Sequence, residues 1–123
     1  MDIVISPASE APIYRQISEQ LSAQIVRGEL ASGECLPPIR VVATQLGISV
    51  ITVKKAWEEL ERGGFIHTQA GRGCFVAEMP APQREDRREA LVTERLTREL
   101  AYYRSLGLSK SEMLSLVARC YGE

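Results

Sequence analysis

The chain has 123 residues, 45% of them apolar, with 15 Lys+Arg against 16 Asp+Glu, a single His and three Cys. That is the size and make-up of one folded domain, or of a small domain with an appendage. No apolar run approaches the roughly 18 residues that a membrane helix needs. The net charge of −1 gives no overall pull toward nucleic acid. Nor does either part of the chain, since residues 1–76 carry seven basic against eight acidic side chains and residues 77–123 carry eight against eight. Any case for DNA must rest on local placement of charge.

The first residues, MDIVISPASE, have neither a basic leader nor a long apolar stretch, so a secretory signal is not expected and a cytoplasmic location is. Cys35, Cys74 and Cys120 are dispersed and lack a CxxC spacing, and His67 is the lone histidine. A disulfide framework and a structural zinc site are both excluded on that basis, reduced thiols are expected, and no cofactor is implied.

Pro12 opens the first periodic segment, where its missing N–H costs nothing. Ile13, Ile17, Leu21 and Ile25 follow as one apolar helical stripe, and Gly28 is placed to end it. Gly33, Pro37 and Pro38 make the next stretch a turn, with at most a short strand at Cys35-Leu36. The run IRVVATQL predicts a short second helix with Ile39, Val42, Ala43 and Leu46 on one side and Gly47 as its break. Ser49 is the N-cap of a third helix, from about Val50 to Arg62, that buries Val53, Ala56, Trp57 and Leu60.

FIHTQ and CFVAE, joined through Ala70-Gly71-Arg72-Gly73, read as a β-hairpin. The order helix, short strand, helix, turn, helix, hairpin is that of a winged helix. Met79-Pro80-Ala81-Pro82-Gln83 predicts a linker resistant to helix and strand alike. Two helices follow. One spans roughly Arg84 to Ser105 with Leu91, Leu96, Leu100, Tyr103 and Leu106 among its apolar positions, and Gly107 closes it. The other begins with the capping box Ser109 to Glu112 and carries Met113, Leu114, Leu116, Val117 and Tyr121. The expected class is therefore mainly α with a small β-hairpin. A winged helix-turn-helix occupies residues 1–77, a linker residues 78–84, and a helical dimerisation arm residues 85–123.

The segment LPPIRVVATQLGISVITVKKAWEELERGGFI, followed by GRGCFV, resembles the DNA-binding domain of the GntR regulators. Their pattern is roughly LPSxRxLA, LGVSRxTVxxAxxxLxxxGxI and GxGTFV. PIYRQISEQL and GELASGECLP also look like that family, so the likeness covers about 65 residues and every element. The short two-helix tail is similar to the YtrA-type subfamily, which lacks a large effector domain.

The resemblance implies a transcription regulator, and a repressor in particular. It places Ser49, Val50, Ile51, Thr52, Lys54 and Lys55 in the major groove, where the start of a recognition helix meets base edges and phosphates. It also places Arg40 near the backbone or the groove edge at the start of the second helix, and Gly71-Arg72-Gly73 at a wing tip approaching the minor groove. The family usually has Arg after the Ser of the turn, whereas this chain has Val50 and then Ile51. Packing on thymine methyls is the expected substitute for the guanine contact of that Arg.

Plainer roles stand beside these. Arg40, Lys54, Lys55 and Arg72 are also ordinary solvated side chains. Trp57 reads as core rather than a base-stacking platform, and His67 as structural or solvent-facing. Cys35 and Cys74 read as small buried neighbours rather than a redox pair.

The tail is too short to close its own core, so Leu91, Leu96, Leu100, Tyr103, Leu114 and Val117 are expected to meet a second copy, with packing on the same protomer as the alternative. A C2 dimer sets two recognition helices about 34 Å apart on a palindromic operator. A small-molecule effector has room only between dimerised helices or beside the linker. An enzyme is disfavoured for want of a nucleophile–base pair, a metal set or a phosphate loop. A winged helix used for protein interaction is the remaining rival.

Overall fold

The structure is a computed structural model that describes residues 1–122. Its elements run α1 (Ile13–Val26), α2 (Ile39–Leu46), α3 (Val50–Arg62), β1 (Ile66–Gln69), β2 (Gly73–Val76), α4 (Ala81–Ser105) and α5 (Lys110–Cys120). The fold is mainly helical with a two-stranded antiparallel sheet, and two compact units are distinguished: Met1–Glu85, and the chain from Asp86 onward. No helix among the described residues is long and apolar enough to cross a membrane.

The core of the first unit follows from helical spacing. Ile17, Leu21 and Ile25 of α1 are buried, and they face Val53, Ala56, Trp57 and Leu60 of α3. Val42 and Ala43 of α2 close one side, and Leu36, Phe65, Ile66 and Val76 close the other. Each fully buried aliphatic side chain contributes roughly 1.5–3 kcal/mol. Trp57 is core, as its position on the apolar face predicts. Ile13 instead stands exposed in the first turn of α1.

An unforeseen device fastens the N-terminal segment. Gln16, Gln20 and Gln24 lie four residues apart on one face of α1. Their side-chain amides each accept from a backbone N–H and donate to the C=O of the same residue: Ser6, Val4 and Asp2 respectively. The spacings match. Four helical residues rise about 6.0 Å and two extended residues about 6.6 Å, so the glutamine row pairs with alternate residues as a neighbouring strand would. Ile3 and Ile5, the residues between, are half-buried.

The hairpin pairs Ile66 with Val76, His67 with Phe75, Thr68 with Cys74 and Gln69 with Gly73. A third, minimal strand joins it where Cys35 bridges to Phe75, with Leu36 N–H donating to the Cys74 carbonyl at 2.9 Å and Val76 N–H to the Glu34 carbonyl at 2.8 Å. This register corrects the expectation that Cys35 and Cys74 are buried neighbours. Side chains alternate along a strand, so Cys35 shares a face with Phe75 and His67 while Cys74 shares the opposite face with Thr68. Cys35 is exposed and Cys74 only half-buried.

The stretch expected to resist helix is shorter than its two prolines suggested. Helix α4 begins at Ala81, with Pro82 in its first turn, where an amide hydrogen has no intrahelical acceptor to meet. Arg84 N–H donates to the Pro80 carbonyl at 2.9 Å. Just before it, Met79 is buried, and its N–H donates to Ser32 Oγ at 3.0 Å. In the second unit, α5 starts on the capping box read from sequence. Ser109 Oγ accepts from Glu112 N–H at 3.2 Å, and a Glu112 carboxylate oxygen accepts from Ser109 N–H at 3.0 Å. Neither α4 nor α5 has a buried residue.

Candidate nucleic-acid interface

Helix α3 carries the densest group of sequence-predicted site residues, and its start is built by a cap. Ser49 is extended, and its Oγ accepts from Thr52 N–H at 3.1 Å. The two hydroxyls also lie 2.7 Å apart. One of the two hydroxyl protons is therefore used between them, whichever residue donates it, and the other remains free to meet an outside acceptor. Ser49 and Thr52 thus act as a coupled pair rather than as two independent donors.

The first turn of α3 presents apolar surface. Val50 is 41% exposed and Ile51 78% exposed, two neighbouring apolar side chains at one helix end. Positions four apart share a helix face, so Val50 stands in line with Lys54, and Ile51 with Lys55. Lys54 projects into solvent. Lys55 is exposed too, but its Nζ sits 4.1 Å from the centre of the Tyr14 ring on α1. The sequence reading missed Tyr14, whose only signal was its place one turn before the buried stripe of α1.

The acidic residues of α3 sit in its later turns. Glu59 pairs with Arg62 at 2.6 Å. Glu61 accepts from both the N–H and the hydroxyl of Thr68 on β1, each at 3.3 Å, bracing the hairpin against α3. The polarity read from sequence is preserved: cations at positions 54 and 55, carboxylates from 58 onward.

At the hairpin tip, Arg72 N–H donates to the Gln69 carbonyl at 2.9 Å and closes the turn. Gly71 at φ +76° and Gly73 at φ +117° hold backbone conformations that L side chains rarely adopt. All three residues are exposed. Arg40 is exposed in the first turn of α2, whose N-cap, Pro38, offers no side-chain cap. Free N–H groups at that helix start add partial positive charge beside Arg40.

Residues 13–76 match the family of bacterial regulatory proteins called gntR. The chain belongs to that family. Within the GntR group it is 34% identical over 110 residues to the HTH-type transcriptional repressor YtrA of Bacillus subtilis, covering 88% of this chain and 85% of YtrA. A solved structure of YtrA from Sulfolobus acidocaldarius, a GntR-family transcription factor, is 34% identical with a TM-score of 0.64, covering 86% of this chain and 98% of that one. The DBD of AraR, solved in complex with operator ORX1, is 30% identical with a TM-score of 0.54 over 63% of this chain and 96% of that one. The chain is thus a DNA-binding transcription regulator with a winged helix, and its family works in regulation rather than catalysis.

The second unit carries the remaining predicted positions. Leu96 and Leu100 of α4 and Leu114 and Val117 of α5 line one open apolar groove of about 430 Å³, together with Leu108 and Met113, and Arg104 and Lys110 stand at it. Leu91 and Tyr103 do not line it and are half-buried. Tyr103 has its pKa raised by its hydrogen bond to the Glu99 carboxylate and by the charge of that carboxylate.

Proposed function

We propose that this GntR regulator is a sequence-specific repressor that binds a palindromic operator as a homodimer. The first unit reads DNA and the chain beyond it dimerises. The observation that carries the reading is the first turn of α3. It exposes Val50 and Ile51 beside the Ser49–Thr52 hydroxyl pair and two lysines, matching the mixed apolar, neutral and cationic chemistry of a major-groove contact. Ser49, Thr52, Lys54, Lys55 and Arg40 take phosphates or base edges, Val50 and Ile51 pack on thymine methyls, and Gly71-Arg72-Gly73 approaches the minor groove. Such a protein works in the cytoplasm, where bacterial operators lie.

The dimer is supported by the groove between α4 and α5. Exposed Leu96, Leu114 and Val117 on two helices without a buried residue form a surface that a second copy covers. Leu91, Leu100 and Tyr103 belong to the same arm. The space for a small-molecule effector lies between the paired arms or beside the linker.

Sedimentation of the parent and of Leu114→Glu, followed by footprinting on a duplex selected from a random pool, tests this reading. A dimer that protects two inverted half-sites, and a monomeric variant with a weakened footprint, are expected. A monomeric parent protecting one asymmetric site contradicts it.

A further inference from the structure

We propose that Tyr14, at the start of α1, is a positioning residue for DNA recognition, acting through Lys55. The inference rests on the reading of α3 as the recognition helix and adds to it a contribution from a helix outside the helix-turn-helix. Three observations lead to it. Lys55 Nζ lies 4.1 Å from the Tyr14 ring centre, inside the range at which an ammonium is attracted to the negative face of an aromatic ring. Lys55 stands one turn below Ile51, the most exposed apolar side chain of α3, so the two present one surface. Val50 and Ile51 bring no charge, which leaves Lys54 and Lys55 as the cations of that helix before its acidic turns begin.

A lysine side chain has four rotatable bonds, and ordering it on binding costs conformational entropy. The Tyr14 ring removes part of that cost in advance. It holds the ammonium above the α1–α3 seam with at least one face of the charge still open, because Lys55 remains exposed. It also draws the ammonium away from Glu58 and Glu59, which lie three and four residues further along α3 and would otherwise compete for it. Among the described residues, Lys54 has no ring at that distance. The two lysines therefore differ: Lys54 is a mobile charge, whereas Lys55 is a placed one.

The test is a double-mutant cycle read in DNA affinity. The probe is a duplex selected from a randomised pool by the parent protein. Binding is measured for the parent, Tyr14→Phe, Tyr14→Leu, Lys55→Gln and Tyr14→Leu with Lys55→Gln, with a thermal melt of each to confirm folding. Tyr14→Phe keeps the ring and binds within twofold of the parent. Tyr14→Leu keeps an apolar side chain but not the quadrupole and binds about two- to fivefold more weakly. In the Lys55→Gln background, Tyr14→Leu changes nothing further.

Two results overturn the proposal. The Tyr14→Leu loss persisting undiminished without Lys55 means that the ring acts independently of the lysine. Tyr14→Phe losing as much as Tyr14→Leu means that the hydroxyl, not the ring, is used. A parent that selects no sequence from the pool overturns the reading of α3 itself, which is a separate failure.

Discussion

Ser49 Oγ and Thr52 Oγ1 lie 2.7 Å apart at the start of α3, while the same Ser49 oxygen accepts from Thr52 N–H at 3.1 Å. On the proposed reading of α3, the oxygen that caps the helix also belongs to the surface that meets DNA. Stability and binding meet in one atom, and substitution can pull them apart. Ser49→Ala removes the cap and should cost about 1 kcal/mol of unfolding free energy, along with several-fold in DNA affinity. Ser49→Asp restores a capping acceptor and suits the positive end of the helix dipole, but it sets a carboxylate against phosphate. Urea denaturation should find Ser49→Asp near parental stability, while a binding titration finds it weaker than Ser49→Ala.

Gly28 follows α1 with φ +80°, and a Cβ built there would lie 1.9 Å from a terminal nitrogen of Arg84. Arg84 belongs to the first turn of α4, so the end of one helix and the start of another share this spot. Gly28→Ala must both strain the backbone and displace the guanidinium. A loss on the order of 1–2 kcal/mol from the backbone alone is expected in urea denaturation. Gly33, also at positive φ but with nothing within 4 Å of a built Cβ, supplies the comparison. Gly33→Ala suffers the backbone strain without the steric conflict and should lose less.

Glu112 titrates below its usual range because its carboxylate accepts from the backbone N–H of Ser109, helped further by the Ser109 side chain. A carboxylate with a depressed folded-state pKa adds stability above its unfolded value and loses it as pH falls through the folded value. The start of α5 should therefore hold at neutral pH and loosen on acidification below the ordinary glutamate range. Amide exchange at Ser109, whose N–H donates to that carboxylate, reads this directly. In Glu112→Gln the acid-dependent loosening of that first turn should disappear.

The helices were legible because burial leaves a periodic trace: Ile17, Leu21 and Ile25, then Val53, Ala56, Trp57 and Leu60. The caps at Ser49 and Ser109 were legible for a related reason, since a cap joins residues only three apart. The start of α4 was not, because Pro80 and Pro82 carry the same composition signal whether they break a helix or sit in its first turn. Contacts between distant positions left no trace either. Nothing in the sequence pairs Gln16, Gln20 and Gln24 with Ser6, Val4 and Asp2, or Lys55 with Tyr14, until the chain is folded. The opposite faces of Cys35 and Cys74 depended on strand register, where one residue of shift exchanges the faces. Among the proposed DNA contacts, Arg40 and the α3 start are named by a motif, whereas the coupling of Ser49 to Thr52 shows only in the fold.

On the proposed reading, the exposed Val50–Ile51 surface of α3 chooses bases by apolar contact. Selection of duplexes from a randomised pool by the parent and by Val50→Arg tests it most directly. The parent should enrich thymine at the positions facing the first turn of α3, and Val50→Arg should shift one of those positions toward guanine, the base that takes a bidentate arginine. Identical base preferences from the two proteins would contradict the claim.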